Sequence, residues 1–265
     1  RVQPQEDKRF FGHPMGLATL FFTELGERFS YYGTLAILVL YLAADEESGG
    51  MHLPGTTAIG IVGVYSALIY LLTVPGGWIA DRVLGPFKSV LIGGCTIASG
   101  HYVLAIPEQM SLWPGMALIA IGTGLLKPNI SAMVGELYDQ DPDEGERRDA
   151  GFSIFYMGIN IGSFFSPLVC GYLGEKVNWH VGFGAAGVGM TIAMVVYIFA
   201  TPRTLGRIGR AVPNPESREQ LRKTIRISVA FLAASAVLFV VDGMLGHFQA
   251  EHMLWFLAAI TVATP

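Results

Sequence analysis

Three ionisable side chains stand in an apolar stretch near the start of the chain, "FFTELGERFSYYG", residues 21–33. A glutamate can take up and release a proton, and an arginine can hold a carboxylate. At 100° per residue, one stripe of an α-helix brings these groups together with aromatic hydroxyls. The stripe consists of Glu24, Arg28, Tyr31 and Leu35, with Glu27 on one flank and Tyr32 on the other.

The depth of Arg28 makes these charges costly. Arg28 lies about twelve residues, or about 18 Å, from either end of its apolar span, too far for the side chain to reach the membrane surface. A charge at the bilayer centre costs about 2.5–3.5 kcal/mol on insertion scales. In one interpretation Glu24 and Arg28, four residues apart, form a purely structural ion pair. In the interpretation that we favour, the stripe belongs to a substrate or ion pathway.

A second deep cation, Lys127, lies in another apolar span, within "GTGLLKPN". Pro128 follows it and has no backbone N–H, so a helical carbonyl is freed for water, an ion or a neighbouring side chain. Thr123 and Ser131, four residues before and after, place Lys127 on a polar helix face. Lys127 either contacts substrate or only neutralises a glutamate of the first span, and the two roles are compatible.

Two further polar side chains are less specific signals. Asn160 belongs to a row at helical spacing with Ser153, Tyr156 and Ser163. In lipid, such residues commonly form hydrogen bonds between helices, so Asn160 taken alone is more often a packing residue than a ligand contact. Tyr70 in the second span, taken alone, is more often a core residue.

The composition places these residues in a membrane protein. Of 265 residues, 52% are hydrophobic and 14% are charged, and the mean hydropathy is +0.48, well above the values of soluble domains. Windows of roughly 20 apolar residues, enough to cross about 30 Å of hydrocarbon, recur along the chain. We place them at Met15–Leu42, Thr56–Ile79, Ser89–Ile106, Leu112–Leu137, Gly151–Gly174, Val181–Thr201, Ile225–Leu245 and from His252 onward.

Charge, cysteines and motifs argue against several other classes. The net charge of -4 gives no sign of nucleic-acid binding. Cys95 and Cys170 lie in apolar runs and are expected to be packing residues rather than a disulfide or metal ligands. No span contains a Gly-x-Ser-x-Gly or His-Glu-x-x-His motif, so we predict that the protein is not an intramembrane hydrolase or another enzyme.

Lysine and arginine alternate between successive loops, and this bias predicts the orientation. One set of loops holds most of the basic residues, whereas the opposite set holds Lys176 beside acidic residues. We therefore predict a cytoplasmic N-terminus, and the polar start of the chain lacks the pattern of a cleavable signal peptide.

The predicted parts are a six-helix bundle over 1–201, an exposed basic cytoplasmic linker over 202–224, and a helix pair over 225–265 whose second helix is incomplete. For the linker, a topology signal with lipid-headgroup contact is preferred over a partner site.

Four motifs resemble those of a known transporter family. "GWIADRVLG", residues 77–85, resembles the loop between the second and third helices of the major facilitator superfamily. "ELGERFSYYG", "GTGLLKPN" and "FSIFYMGINIGSFFSPLVCGYL", on the predicted first, fourth and fifth helices, resemble signatures of the proton-dependent oligopeptide transporters. The resemblance implies the major facilitator fold, with two six-helix bundles and, in prokaryotic members, an additional helix pair between them. This chain would then hold the N-terminal bundle and part of that pair, without the C-terminal bundle.

The resemblance also implies roles for individual residues. It assigns proton coupling to Glu24, Glu27, Arg28 and Lys127. It assigns peptide binding to Arg28, Tyr31, Tyr32, Tyr70, Lys127 and Asn160, and a conformational latch to Asp81 and Arg82. Many members have an arginine where this chain has Leu35, which leaves fewer cations for the carboxylate of a peptide.

The expected function is proton-coupled import of di- and tripeptides across the plasma (inner) membrane by alternating access. Protons are the coupling ion, and no other cofactor is expected. The expected partners are peptide, protons and lipid, without nucleic acid. A relative that transports nitrate or another small anion is the alternative. A channel or receptor fits the charged, proline-containing helices less well.

Overall fold

The computed structural model describes residues 9–139, 144–217 and 219–224, together with positions 226 and 230. Within these residues the chain forms six long helices. They are α1 (Met15–Ala43), α2 (Gly55–Ile79), α3 (Pro86–Leu104), α4 (Leu112–Glu136), α5 (Glu144–Ser166) and α6 (Trp179–Thr204). The helix pair expected over 225–265 lies outside the described residues, apart from the two single positions.

Two of the helices are extended by π-helical turns. α2 continues through Ala80–Leu84 and ends at Gly85, whose φ of 79° suits a glycine. α5 continues through Pro167–Gly171 into a last short helix, Tyr172–Lys176. Proline supplies no N–H, which favours a shifted hydrogen-bond ladder at this point. α5 also begins before the predicted Gly151, because its first turns are charged rather than apolar.

Four of the described helical stretches are long and apolar enough to cross a membrane. They are Gly55–Leu84, Gln109–Glu136, Glu146–Lys176 and Trp179–Thr204. Helices α1 and α3 are less apolar because they carry polar residues, several of which are buried against other helices. A helix whose polar groups face its neighbours does not need an apolar surface on every side.

Small residues bring the helices close together. A Cβ atom on Gly122 of α4 would lie 2.6 Å from the carbonyl oxygen of Gly93 on α3. A Cβ atom on Gly26 of α1 would lie 2.4 Å from the Cβ of Ala193 on α6. Such residues let helix backbones approach each other in lipid. α1 contacts α2, α4, α5 and α6, so it lies at the centre of the described helices.

The chain after α6 folds back against the ends of α3 and α4. Leu205 and Ile208 are buried there. The N–H of Phe87 donates to the carbonyl of Gly209 at 2.8 Å, and the N–H of Gly209 donates to the Glu136 carboxylate at 2.8 Å. The prediction of an exposed linker from residue 202 is therefore wrong for this part, because apolar side chains follow α6 and pack on the bundle.

The close approach of α3 and α4 generates a stability prediction. Gly122→Ala places a methyl group 2.6 Å from the Gly93 oxygen and 2.7 Å from Ile97 Cγ1, so we expect a loss of about 1–3 kcal/mol from overpacking. The measurement is thermal unfolding of the full-length protein in detergent. Gly60→Ala on α2 is the control, because no atom lies within 4 Å of its added Cβ. Equal melting temperatures for the two variants would contradict the packing argument.

Candidate functional site

The charged stripe of α1 is buried inside the bundle. Glu24, Glu27 and Arg28 are 2%, 0% and 3% exposed. The Arg28 guanidinium donates from Nε and Nη2 to the two oxygens of Glu27, and the Nη2–Oε1 distance is 2.6 Å. Glu24 Oε1 lies 3.4 Å from the same Nε. Arg28 is therefore shared between two carboxylates, and these three residues are called the triad below.

The two glutamates hold Arg28 unequally. The four-residue spacing predicts a pair between Glu24 and Arg28, which is present, but both guanidinium hydrogen bonds go to Glu27. Glu24 Oε2 has no hydrogen-bond partner among the described residues. A two-point contact between an arginine and a carboxylate is stronger than a single longer one. Glu27 therefore holds Arg28 through two hydrogen bonds, whereas Glu24 makes a single longer contact with it.

Lys127 on α4 supplies the fourth charge. It is half-buried, and it lies close enough to Glu24 for its charge to act on that carboxylate. Its Nζ is 3.9 Å from the ring centroid of Tyr70 on α2. Among the described residues, no carboxylate lies within ion-pair distance of the ammonium. Two acids and two cations sum to zero charge, which lowers the free-energy cost of burying each of them.

Three tyrosines surround the charges. The Arg28 Cζ lies 4.9 Å from the ring centroid of Tyr31, a geometry that stabilises the cation. The rings of Tyr31 and Tyr32 pack edge to face, with centroids 5.1 Å apart. Tyr31 is buried and Tyr32 half-buried, whereas Tyr70 is 52% exposed. The cluster is therefore closed around Arg28 and open beside Tyr70 and Lys127.

The proline beside Lys127 does not interrupt α4. The helix continues through Pro128, and the carbonyl of Gly124, which lacks its usual N–H partner, lies against α2. A Cβ atom on Gly76 of α2 would come within 2.0 Å of that oxygen. The Asn129 side chain donates to the Leu125 carbonyl at 2.7 Å and reaches the Gly76 carbonyl at 3.4 Å. The freed carbonyl therefore lies at the close contact between α4 and the backbone of α2.

Asn160 is a predicted peptide-binding residue that the structure leaves apart from the triad. α5 packs on α1 through Gly162, whose added Cβ would lie 2.5 Å from the Leu25 carbonyl oxygen. Asn160 precedes Gly162 by two residues, which is about 200° around the helix. Its side chain is accordingly exposed, as is that of Tyr156 one turn earlier. The polar row of α5 therefore lies on a face turned away from α1.

Asp81 and Arg82 form a separate region at the end of α2. They lie in the π-helical turn, about 16 Å along the helix from Tyr70 at 1.5 Å per residue. The Asp81 side chain is exposed, and its backbone carbonyl accepts a hydrogen bond from the N–H of Asn214 at 2.8 Å. Arg82 Nη1 lies 3.6 Å from Glu216 Oε1. The turn is thus tied to the segment that follows α6.

Sequence reasoning did not single out two polar residues that the structure buries in the bundle, Tyr65 and Thr123. Tyr65 of α2 is 4% exposed and belongs to the same buried cluster as Tyr31. Thr123, noted only as part of a polar face, is fully buried one turn before Lys127. A polar side chain in an apolar span is the only signal that the sequence offers for either. Among the described residues, no group of three His, Cys, Asp or Glu side chains has the arrangement of a metal site.

The amino-acid sequence of this chain is similar to those of a known protein family. The POT family model matches residues 87–257. "Uncharacterized transporter YclF" of Bacillus subtilis (strain 168) is 48% identical over 245 residues, which are 92% of this chain and 49% of the relative. "Di-/tripeptide transporter" of Lactococcus lactis subsp. lactis (strain IL1403) is 47% identical over 232 residues, which are 86% of this chain and 46% of the relative.

A solved structure agrees with these relatives. The crystal structure of peptide transporter POT in complex with sulfate is 48% identical, with a TM-score of 0.83, and the match covers 94% of this chain and 50% of that one. The chain thus spans about half the length of the proteins it matches. The fold is that of the major facilitator transporters, in an all-α, multi-pass membrane protein. The chain belongs to the POT family of transporters.

Proposed function

We propose that this chain forms the N-terminal part of a proton-coupled symporter that imports di- and tripeptides by alternating access. The observation that carries the proposal is the buried triad beside the half-buried Lys127, whose ammonium has no carboxylate within ion-pair distance among the described residues. A charge set of this kind inside a membrane is expensive, and it is the usual mark of an ion or substrate pathway. The name of the Lactococcus relative, a di-/tripeptide transporter, supports a peptide as the substrate.

The chemistry of a peptide fits the open side of the cluster. A zwitterionic peptide has one carboxylate, which Lys127 can meet because no carboxylate of the described residues occupies its ammonium. Arg28 can become a second contact for the peptide carboxylate only when its hydrogen bonds to Glu27 break. Tyr70, half-exposed beside Lys127, and Asn160, on the open face of α5, offer hydrogen bonds to the peptide backbone. Recognition of main-chain groups tolerates varied side chains, and the amino end is left to acidic groups of a C-terminal bundle.

Proton coupling follows from competition for the cations. Protonating a carboxylate removes its hold on a neighbouring cation, which is then free for the substrate carboxylate. Protonating Glu24 disrupts fewer contacts than protonating Glu27, because one Glu24 oxygen has no hydrogen-bond partner among the described residues and the other makes a single contact with Arg28 at 3.4 Å. Glu27 would have to release two hydrogen bonds. We therefore assign the first proton to Glu24, whose protonation removes the negative charge that competes with the substrate carboxylate for Lys127, and the structural hold on Arg28 to Glu27.

Alternating access would come from the two bundles rocking about this site. We place the N-terminus in the cytoplasm and the protein in the plasma (inner) membrane, in line with the positive charge of the loops. The turn with Asp81 and Arg82 then faces the cytoplasm. There the exposed Asp81 can contact the C-terminal bundle and latch the cytoplasmic side in the outward-open state.

The first functional prediction tests coupling itself. In liposomes with an inward proton gradient, the full-length protein is expected to accumulate radiolabelled dialanine against its gradient. An ionophore that collapses the pH gradient and membrane potential should abolish the accumulation. Nitrate tested in parallel distinguishes the anion-transporting alternative. Dialanine uptake that is unchanged by the ionophore would refute proton coupling.

The latch generates a second prediction. Asp81→Asn removes one surface charge contact, worth about 0.3–1 kcal/mol, so the inward-open to outward-open ratio should rise about two- to fivefold. Cysteine accessibility at the cytoplasmic side measures this opening. Asp45→Asn, an exposed acid in the α1–α2 loop, is the control. Unchanged cytoplasmic accessibility in Asp81→Asn would remove the latch from the proposal.

A third prediction separates proton coupling from peptide binding. Glu24→Gln and Glu27→Gln keep the side-chain shape and a hydrogen-bonding amide but lose the titratable proton. We expect counterflow of peptide to persist, because it needs no net proton movement, while proton-driven accumulation falls about tenfold or more. Glu24→Gln should show the cleaner separation, since Glu27→Gln also disturbs the hold on Arg28.

Lys127→Ala is the matched binding variant. Loss of a charge-assisted hydrogen bond of about 1.5–3 kcal/mol should weaken peptide binding about 10- to 150-fold in both assays. Lys176→Ala, an exposed cation in the last short helix after α5, is the control for loss of a positive charge alone. If both glutamine variants retain full proton-driven accumulation, the carboxylates are structural charges and the coupling site lies elsewhere in the protein.

A further inference from the structure

The helix face that carries Arg28 becomes apolar in the turns that follow it. At 100° per residue, Leu35 and Val39 lie within about 20° of Arg28 around α1. Arg28 is 3% exposed, whereas Leu35 and Val39 are half-buried. No residue of α1 after Arg28 carries a charge. The face that holds the buried charges therefore continues, toward the Ala43 end of α1, as a partly open apolar surface.

A matching surface lies on α2. Val62, Ser66 and Tyr70 follow one another at intervals of four residues, so they form one row along the helix. Val62 and Ser66 are half-buried, and Tyr70 is 52% exposed. α2 carries no charged residue over its whole length, Gly55–Ile79. The row thus leads from the aromatic ring beside Lys127 to an apolar side chain two turns away.

The contacts between α1 and α2 bring Leu35 and Val62 to the same level. The Tyr31 side chain lies beside that of Ser66, within reach of a hydrogen bond. The loop between the two helices folds back on the end of α1 through backbone hydrogen bonds, so the helices are antiparallel neighbours. Leu35, one turn after Tyr31, therefore falls opposite Val62, one turn before Ser66. Both apolar side chains pack against the buried core of the bundle, and they are called the apolar pair below.

The apolar pair lies within reach of a peptide that is held at Lys127. The Lys127 ammonium is 3.9 Å from the ring centroid of Tyr70, and Val62 is eight residues from Tyr70, or about 12 Å along α2. The side chains of Lys127 and Tyr70 cover part of this distance. An extended dipeptide spans about 7 Å in its backbone, and its own side chains reach further. A dipeptide bound by its carboxylate at Lys127 can thus place a side chain on the apolar pair.

We propose that Leu35 and Val62 form an apolar subsite that takes an aliphatic side chain of the transported peptide. Burial of apolar surface is favourable and has no preferred direction, so the subsite accepts aliphatic side chains of different shape. An amide or charged side chain would lose its hydrogen bonds to water there and find no partner on either residue of the pair. The subsite therefore sets a preference among peptides, and it rests on the proposed peptide transport.

The test compares dileucine with diasparagine, whose side chains have nearly the same size, as ligands of the full-length protein. We expect the wild type to bind dileucine about tenfold more tightly than diasparagine or better. Leu35→Asn keeps the size of the side chain but makes the surface polar, so the ratio of the two dissociation constants should fall about 3- to 10-fold. The rise in melting temperature with peptide concentration, in detergent, gives both constants without transport.

A second variant and a control accompany Leu35→Asn. Val62→Ala removes two methyl groups from the other helix and should lower the same ratio about threefold. Leu40→Asn is the matched control, because Leu40 is 42% exposed and lies about 120° from Arg28 around α1. This control should keep the ratio of the wild type. In liposomes with a proton gradient, competition between the two peptides should show the same order of preference.

Several outcomes would overturn the subsite. One is a wild type that binds diasparagine as tightly as dileucine, and another is a ratio that neither Leu35→Asn nor Val62→Ala changes. Lower melting temperatures of these two variants without peptide, together with an unchanged ratio, would assign the apolar pair to packing against the C-terminal bundle. A wild type that binds the peptides with the expected ratio but does not accumulate them would refute the proposed transport and leave the subsite standing. A wild type that binds neither peptide would refute both.

Discussion

The burial of Arg28 is the constraint around which the described helices are arranged. A guanidinium stays charged under all physiological conditions, so inside a membrane it must be both neutralised and hydrogen-bonded. Glu27 provides the hydrogen bonds, and Glu24 and Lys127 complete a set of four charges that sums to zero. Because Arg28 cannot lose its proton, any change of charge in this set falls on the other members.

The neighbouring helices close tightly around this set. α5 passes α1 at Gly162, where an added Cβ would lie 3.2 Å from Arg28 Cβ. On the other side, α6 meets α1 where Gly26 faces Ala193. Small residues at these points let α5 and α6 approach α1 closely, and Arg28 is 3% exposed. The remaining approach is between α2 and α4, where Tyr70 is exposed and Lys127 half-buried.

α2 connects this cluster to the far end of the bundle. It carries Tyr65 and Tyr70 beside the charges and ends in the π-helical turn that holds Arg82 against Glu216. It is also the least buried of the four most apolar helices, and its close packing within the described bundle is against α4, at Gly76 and Gly124. A rigid element that touches two regions is a physical means of coupling them.

The sequence by itself determined the membrane class, the positions of the helices and the motifs, because hydropathy and helical period are local properties of the chain. α1 was predicted at Met15–Leu42 and runs over Met15–Ala43. Only the tertiary structure decided that Glu27, rather than Glu24, makes the two hydrogen bonds to Arg28. Spacing limits which side chains can meet, whereas rotamers and the packing of other helices select the pair. For the same reason the buried place of Tyr65, the outward face of Asn160 and the packed segment after α6 depend on contacts between residues far apart in the chain.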